Sequence, residues 1–157
     1  MKEKISLLQE LKSSQEFLNR ATSELKEDDS NYSPTEGMYT TAQQLAHVAH
    51  TINWFLEGAF SSKGFDLNFQ AQSDNVRKIT SLMVARGLVN NAYAKLIAAF
   101  ADRSEAEWAA PIVAGPIMGG EPRNSILFGI LEHTAHHRGA LGVYTRMRGR
   151  IPPMPYV

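Results

Sequence analysis

Apolar side chains recur along this chain at steps of three and four, and that period predicts helices. The first runs from about Lys2 to Lys26 and carries Ile5, Leu8, Leu11, Leu18 and Leu25 on one stripe. Polar residues Glu27–Asn31, then Pro34 and Gly37, punctuate a loop. A second helix begins near Thr40 or Thr41, each followed three positions later by a glutamine, Gln43 or Gln44, in the pattern of a capping box. Its core stripe is Leu45, Val48, Ile52, Phe55 or Leu56, and Ala59. Gly64 and the polar run Gln70–Asn75 read as a connection, and a third helix is expected from about Ile79 to Ala101. Gly87 inside it costs about 1 kcal/mol relative to alanine.

The stretch from Ala109 to Arg123 contains Pro111, Gly115, Pro116, Gly119, Gly120 and Pro122, so no helix runs through it. Ile112-Val113 and Ile117-Met118 flank Gly115-Pro116 and suggest a small hairpin. A last helix starts near Asn124 or Ser125 and continues to about Met147, where Gly149 and then Pro152, Pro153 and Pro155 end it. Helices of these lengths, joined by loops, predict an all-α, four-helix-bundle protein occupying residues 1–157 as one domain.

Composition narrows the function. A hydrophobic fraction of 43% is enough to bury a core, which excludes a disordered chain. Sixteen basic side chains offset sixteen acidic ones, leaving no electrostatic footprint for nucleic acid and no polybasic membrane patch. The chain has no cysteine, which removes disulfides, thiolate metal sites and a cysteine nucleophile. Met1-Lys2-Glu3-Lys4-Ile5 opens with alternating charge, and no apolar run approaches the ~18 residues of a membrane span. A cytoplasmic protein is expected.

All five histidines fall in two groups, His47 and His50 in the second helix and His133, His136 and His137 in the last. On a wheel of about 100° per residue, His133 and His137 lie about 40° apart and straddle the line of Ile126 and Tyr144, the inward face. His136 lies about 80° to the side. Two inward imidazoles can be hydrogen-bonded core residues, or they can share a divalent cation that satisfies both ring nitrogens. In the second helix, His47 sits about 130° and His50 about 170° from the centre of the apolar stripe, so geometry favours His47 for an inter-helix cleft. Three neutral imidazoles with a fourth position open is the donor set of catalytic zinc, and it also suits nickel, iron, cobalt and copper.

The run Thr41-Ala42-Gln43-Gln44-Leu45-Ala46-His47-Val48-Ala49-His50 resembles the second-helix motif of the DinB family, the DinB/YfiT-like four-helix-bundle metalloproteins. Glu132-His133-Thr134-Ala135-His136-His137-Arg138-Gly139 resembles its last-helix motif, and Tyr144-Thr145-Arg146-Met147-Arg148-Gly149 its ending. The resemblance covers nearly the whole chain. It implies His47, His133 and His137 as metal ligands, an up-down-down-up topology, a homodimer, and one zinc or nickel ion per chain. His50 and His136 are extra to the pattern.

It also implies an enzyme that activates a low-molecular-weight thiol, such as mycothiol or bacillithiol, for S-transfer or isomerisation of a small-molecule substrate. Arg138, Arg146 and Arg148 are then candidates to pair with carboxylates of that thiol, or are ordinary solvated arginines. The alternatives are a metal-dependent hydrolase, for which Glu132 is the nearest base but points away on the wheel, and a non-catalytic, metal-stabilised dimeric binding protein. Trp54, Tyr93, Trp108 and Phe128 are candidate pocket or core residues.

Overall fold

The computed structural model describes residues 2–156, with side chains from Ser6 onward. Ile5, the first residue of the expected stripe, therefore lies outside the described side chains. The described residues form α1 (Lys2–Ala21), a 3-10 turn (Glu27–Asp29), α2 (Thr41–Phe60), α3 (Phe69–Arg77), α4 (Leu82–Asp102), α5 (Glu105–Ala109) and α6 (Ser125–Met147). No β-strand occurs among them. The long helices pack in pairs, α2 against α4 and α6, and α1 against α6 and α4.

The first helix stops at Ala21, short of the expected Lys26, and carbonyls of the segment that follows are held by α4. The Thr22 hydroxyl donates back to the Leu18 carbonyl at 2.8 Å, and Arg86 of α4 donates to the carbonyls of Thr22 (2.6 Å) and Leu25 (3.3 Å). Leu25 stays in the core although the helix has ended. At α2 the capping box belongs to Thr40 and Gln43, whose backbone and side chain exchange bonds of 3.0 and 3.3 Å.

The polar run Gln70–Asn75 is helical, which corrects the expected connection. Asn68 caps α3 by accepting the Ala71 N–H at 3.1 Å, and the helix lies on α2. Only Val76 of its nine residues is buried, so no apolar stripe announces it. The next helix accordingly starts at Leu82, behind the cap Ser81, and not at Ile79. The expected hairpin about Gly115-Pro116 is replaced by a loop closed at its base by an isolated antiparallel bridge between Pro111 and Pro122. Met118 there has φ +49°, a left-handed conformation that no strand accommodates.

Nearly all buried apolar residues of α1, α2, α4 and α6 belong to one cluster. Each fully buried leucine or isoleucine in it contributes about 2 kcal/mol. Buried polar ties join the elements. Tyr93 of α4, wholly buried, hydrogen-bonds to Ser14 of α1 (2.9 Å) and Thr134 of α6 (3.2 Å). Buried Asp29 accepts from Arg148 at 2.8 Å and from Arg150, fastening the turn after α1 to the end of α6. Among the described residues, no helix is long and apolar enough to cross a membrane.

Candidate metal centre

His47 comes from the side of α2 that faces α6, and His133 and His137 come from successive turns of α6. Their Nε2 atoms converge. His133 Nε2 is 3.2 Å from His47 Nε2 and 3.1 Å from His137 Nε2, and one ligating atom of each ring lies within 4.8 Å of the others. Tetrahedral ligands held at the usual zinc–nitrogen length are roughly 3.3 Å apart, so the three rings are spaced for one ion.

The electrostatics agree with that use. Burial, reinforced by the neighbouring histidines, pushes the His133 imidazole down to about 4 and that of His137 to about 3. Burial lowers His47 as well. At neutral pH all three rings are uncharged, and each has a lone pair to offer. Protons on these facing nitrogens would repel one another in a half-buried site; a cation shared among them removes the conflict.

A chain of hydrogen bonds decides which nitrogen of His137 is free. The Tyr39 backbone carbonyl can only accept, so the Tyr144 hydroxyl donates to it at 2.9 Å. The Gln44 amide N–H then donates to Tyr144 at 3.1 Å, which turns the Gln44 carbonyl towards His137 Nδ1 at 2.5 Å. Nδ1 must therefore carry the proton, leaving Nε2 with its lone pair directed at the other two histidines.

His136 is exposed and stands edge-on to His137, outside the three-nitrogen cluster. Glu132 is exposed too. His50 also stays out of the cluster, but it is half-buried: the wheel placed it on the face away from the core, and α3 covers that face. A model of the DinB family matches residues 1–157.

This chain belongs to the DinB family. No curated protein matches it.

Beside the histidines this DinB-family chain has a cavity of about 450 Å³, bordered by His47, His50 and His133. Tyr39, Trp54, Phe55 and Phe69 supply rings to its wall, and Thr51, Gln72 and Ser73 supply neutral polar groups. Gly58 makes part of this wall possible. A Cβ there would sit 2.2 Å from the Phe65 ring, which packs against Trp54 with centroids 4.6 Å apart.

Of the aromatic candidates from the sequence, Trp54 reaches the cavity. Tyr93 and Trp108 are core residues, and Phe128 is exposed. The three candidate arginines are elsewhere. Arg148 is on Asp29, Arg138 bonds the Tyr156 hydroxyl at 3.1 Å, and Arg146 is exposed. Sequence reasoning missed Gln44 as a partner of the site. Its place one turn before His47 was the available signal, and the capping pattern drew attention away from it.

Proposed function

We propose that this chain is a divalent-metal enzyme acting with a low-molecular-weight thiol, of S-transferase or isomerase type, with His47, His133 and His137 as ligands to one zinc or nickel ion. The observation that carries the reading is the convergence of three uncharged Nε2 atoms beside a cavity of small-molecule size. A divalent ion with three imidazole ligands supplies an open position that favours a bound thiol as its thiolate. The chain has no cysteine of its own to compete for that position. Gln44 and Tyr144 orient His137, while the rings of Tyr39, Trp54, Phe55 and Phe69 enclose the reactants. In the transfer reaction the thiol sulfur bonds an electrophilic carbon, its proton passes to solvent, and the leaving group departs with the bonding pair.

For a metal-dependent hydrolase, Glu132 is exposed and not part of the cavity wall, so the general base on that wall would be His50. The test uses protein purified without a histidine tag, loaded with zinc, and mixed with bacillithiol, glutathione or mercaptoethanol and an activated chloroarene. Thiol loss faster than in the metal-free control supports the transferase. Ligand binding without turnover points to a non-catalytic binding protein, and failure to take up zinc, nickel and cobalt overturns the metal site.

The up-down-down-up course of the four long helices is part of the same proposal. Ser14 meets Tyr93 and Thr22 meets Arg86, as in antiparallel α1 and α4. Gln44 meets His137 and Thr51 meets His133, as in antiparallel α2 and α6. Ser14 is level with Thr134 through Tyr93, and Phe17 lies under Arg138, as in parallel α1 and α6. A homodimer is proposed with it, and sedimentation at a monomer mass of 17.4 kDa at micromolar concentration would argue against that assembly.

A further inference from the structure

The cavity beside the three histidines carries little fixed charge on its wall. Among the described residues, its lining includes no lysine, arginine, aspartate or glutamate. Arg77, stacked on a ring of the wall, is committed elsewhere: it covers the Tyr39 ring at 4.9 Å and donates to the Gly37 carbonyl at 3.0 Å. On the other side, a second cavity of about 290 Å³ shares His50, Trp54 and Gln72 with the first, and the charged groups on its wall are Glu57 and Asp66. Any fixed charge at that margin is negative.

Several polar tips of the wall are already paired. Trp54 Nε1 donates to the Asp66 carbonyl at 2.8 Å, Gln72 Nε2 donates to the same carbonyl at 3.0 Å, and the Tyr39 hydroxyl pairs with Ser73 at 3.0 Å. These bonds pin the rings in place and turn their apolar surfaces to the cavity. A carboxylate placed there would find no lysine or arginine on the wall to pair with, and would stand close to two acidic side chains. A flat, uncharged body would meet rings already held in position.

We propose that this cavity takes a thiol whose body is uncharged and aromatic, an arylalkyl thiol, in preference to thiols that carry carboxylates. The inference rests on the metal reading given under Proposed function and adds the ligand class to it. Trp54 and Phe69 are the specificity-determining residues: Trp54 is anchored on α2 and the following loop, and Phe69 is brought over the cavity by α3.

The experiment loads the full chain with cobalt(II), measures its affinity by competition, and then titrates phenylmethanethiol, mercaptoethanol and glutathione while following the cobalt absorption spectrum. These are all alkyl thiols, so they differ mainly in the body attached to sulfur. The expected order is phenylmethanethiol tightest, by about tenfold or more over glutathione. Trp54→Ala and, separately, Phe69→Ala should each reduce the phenylmethanethiol affinity by about three- to tenfold and leave cobalt affinity unchanged. Phe69 is more than half exposed, so its truncation does not threaten the fold. Cobalt uptake with glutathione binding as tightly as phenylmethanethiol, or with neither truncation changing the aromatic thiol's affinity, overturns this inference and leaves the metal reading standing. No cobalt uptake overturns both.

Discussion

Gln44 Oε1 lies 2.5 Å from His137 Nδ1, so an uncharged amide on α2 sets the tautomer of an imidazole on α6. The amide has no freedom to flip, because its N–H₂ end is held by Tyr144 and Tyr144 by the Tyr39 carbonyl. Groups that hold the outer nitrogen of a metal-binding histidine raise its basicity and keep the ring aimed, and their loss typically weakens metal binding by about 10–100-fold.

Gln44→Leu is therefore expected to weaken zinc binding by about 10–100-fold in a competition titration. Gln44→Glu, which still offers an oxygen to Nδ1, should recover most of that loss. Equal losses in both variants would show that Gln44 matters for packing and not for its acceptor oxygen.

Single alanine substitutions separate the five histidines. His47→Ala, His133→Ala and His137→Ala each remove one of the three converging Nε2 atoms and should lower metal affinity by about 100-fold or more, whereas His50→Ala and His136→Ala should retain the ion. Elemental analysis of the wild-type chain should find about one divalent ion. Retention of the ion in His47→Ala with its loss in His50→Ala would move the α2 ligand to the other ring.

Metal-free protein should lose stability as the pH falls from about 6.5 towards 4. Above that window His133 and His137 are neutral in both folded and unfolded chains and contribute no pH dependence. Within it the unfolded chain binds protons that the folded one refuses, because burial holds these rings down to about 4 and about 3. More protons on the unfolded state means stability that rises with pH, so the urea midpoint should be lower at pH ~4.5 than at pH ~7.5. A midpoint that stays level, or a wild-type slope matched by His133→Leu/His137→Leu, would dissociate the effect from these rings.

Asp29 should matter for stability without touching the metal. Burial alone would raise its carboxyl, but the Lys26 backbone N–H, Arg148 and Arg150 outweigh that and hold it below the usual range. Asp29→Ala leaves Arg148 and Arg150 without that carboxylate; both reach solvent in part, so the cost is put at about 2–3 kcal/mol by denaturant unfolding. Zinc affinity should be unchanged, and a parallel loss of metal would mean that the turn after α1 supports the site.

The long helices and the facing of His133 and His137 are legible in the sequence, because both are properties of a single helix. The 3.6-residue period puts residues four apart on one side, and Ile126 and Tyr144 mark that side as buried. Helix ends were legible where a local residue makes them, as at Thr40 and at Gly149, whose φ is +76°. The rest depends on how the helices pack, because a helical wheel gives a direction without saying what lies in that direction. His47 joins the cluster because α6 crosses the flank of α2 that carries it. His50 is covered because α3, too polar to show a stripe, packs on α2. Gln44 is a partner of the site because Tyr144, a hundred positions away, fixes its amide.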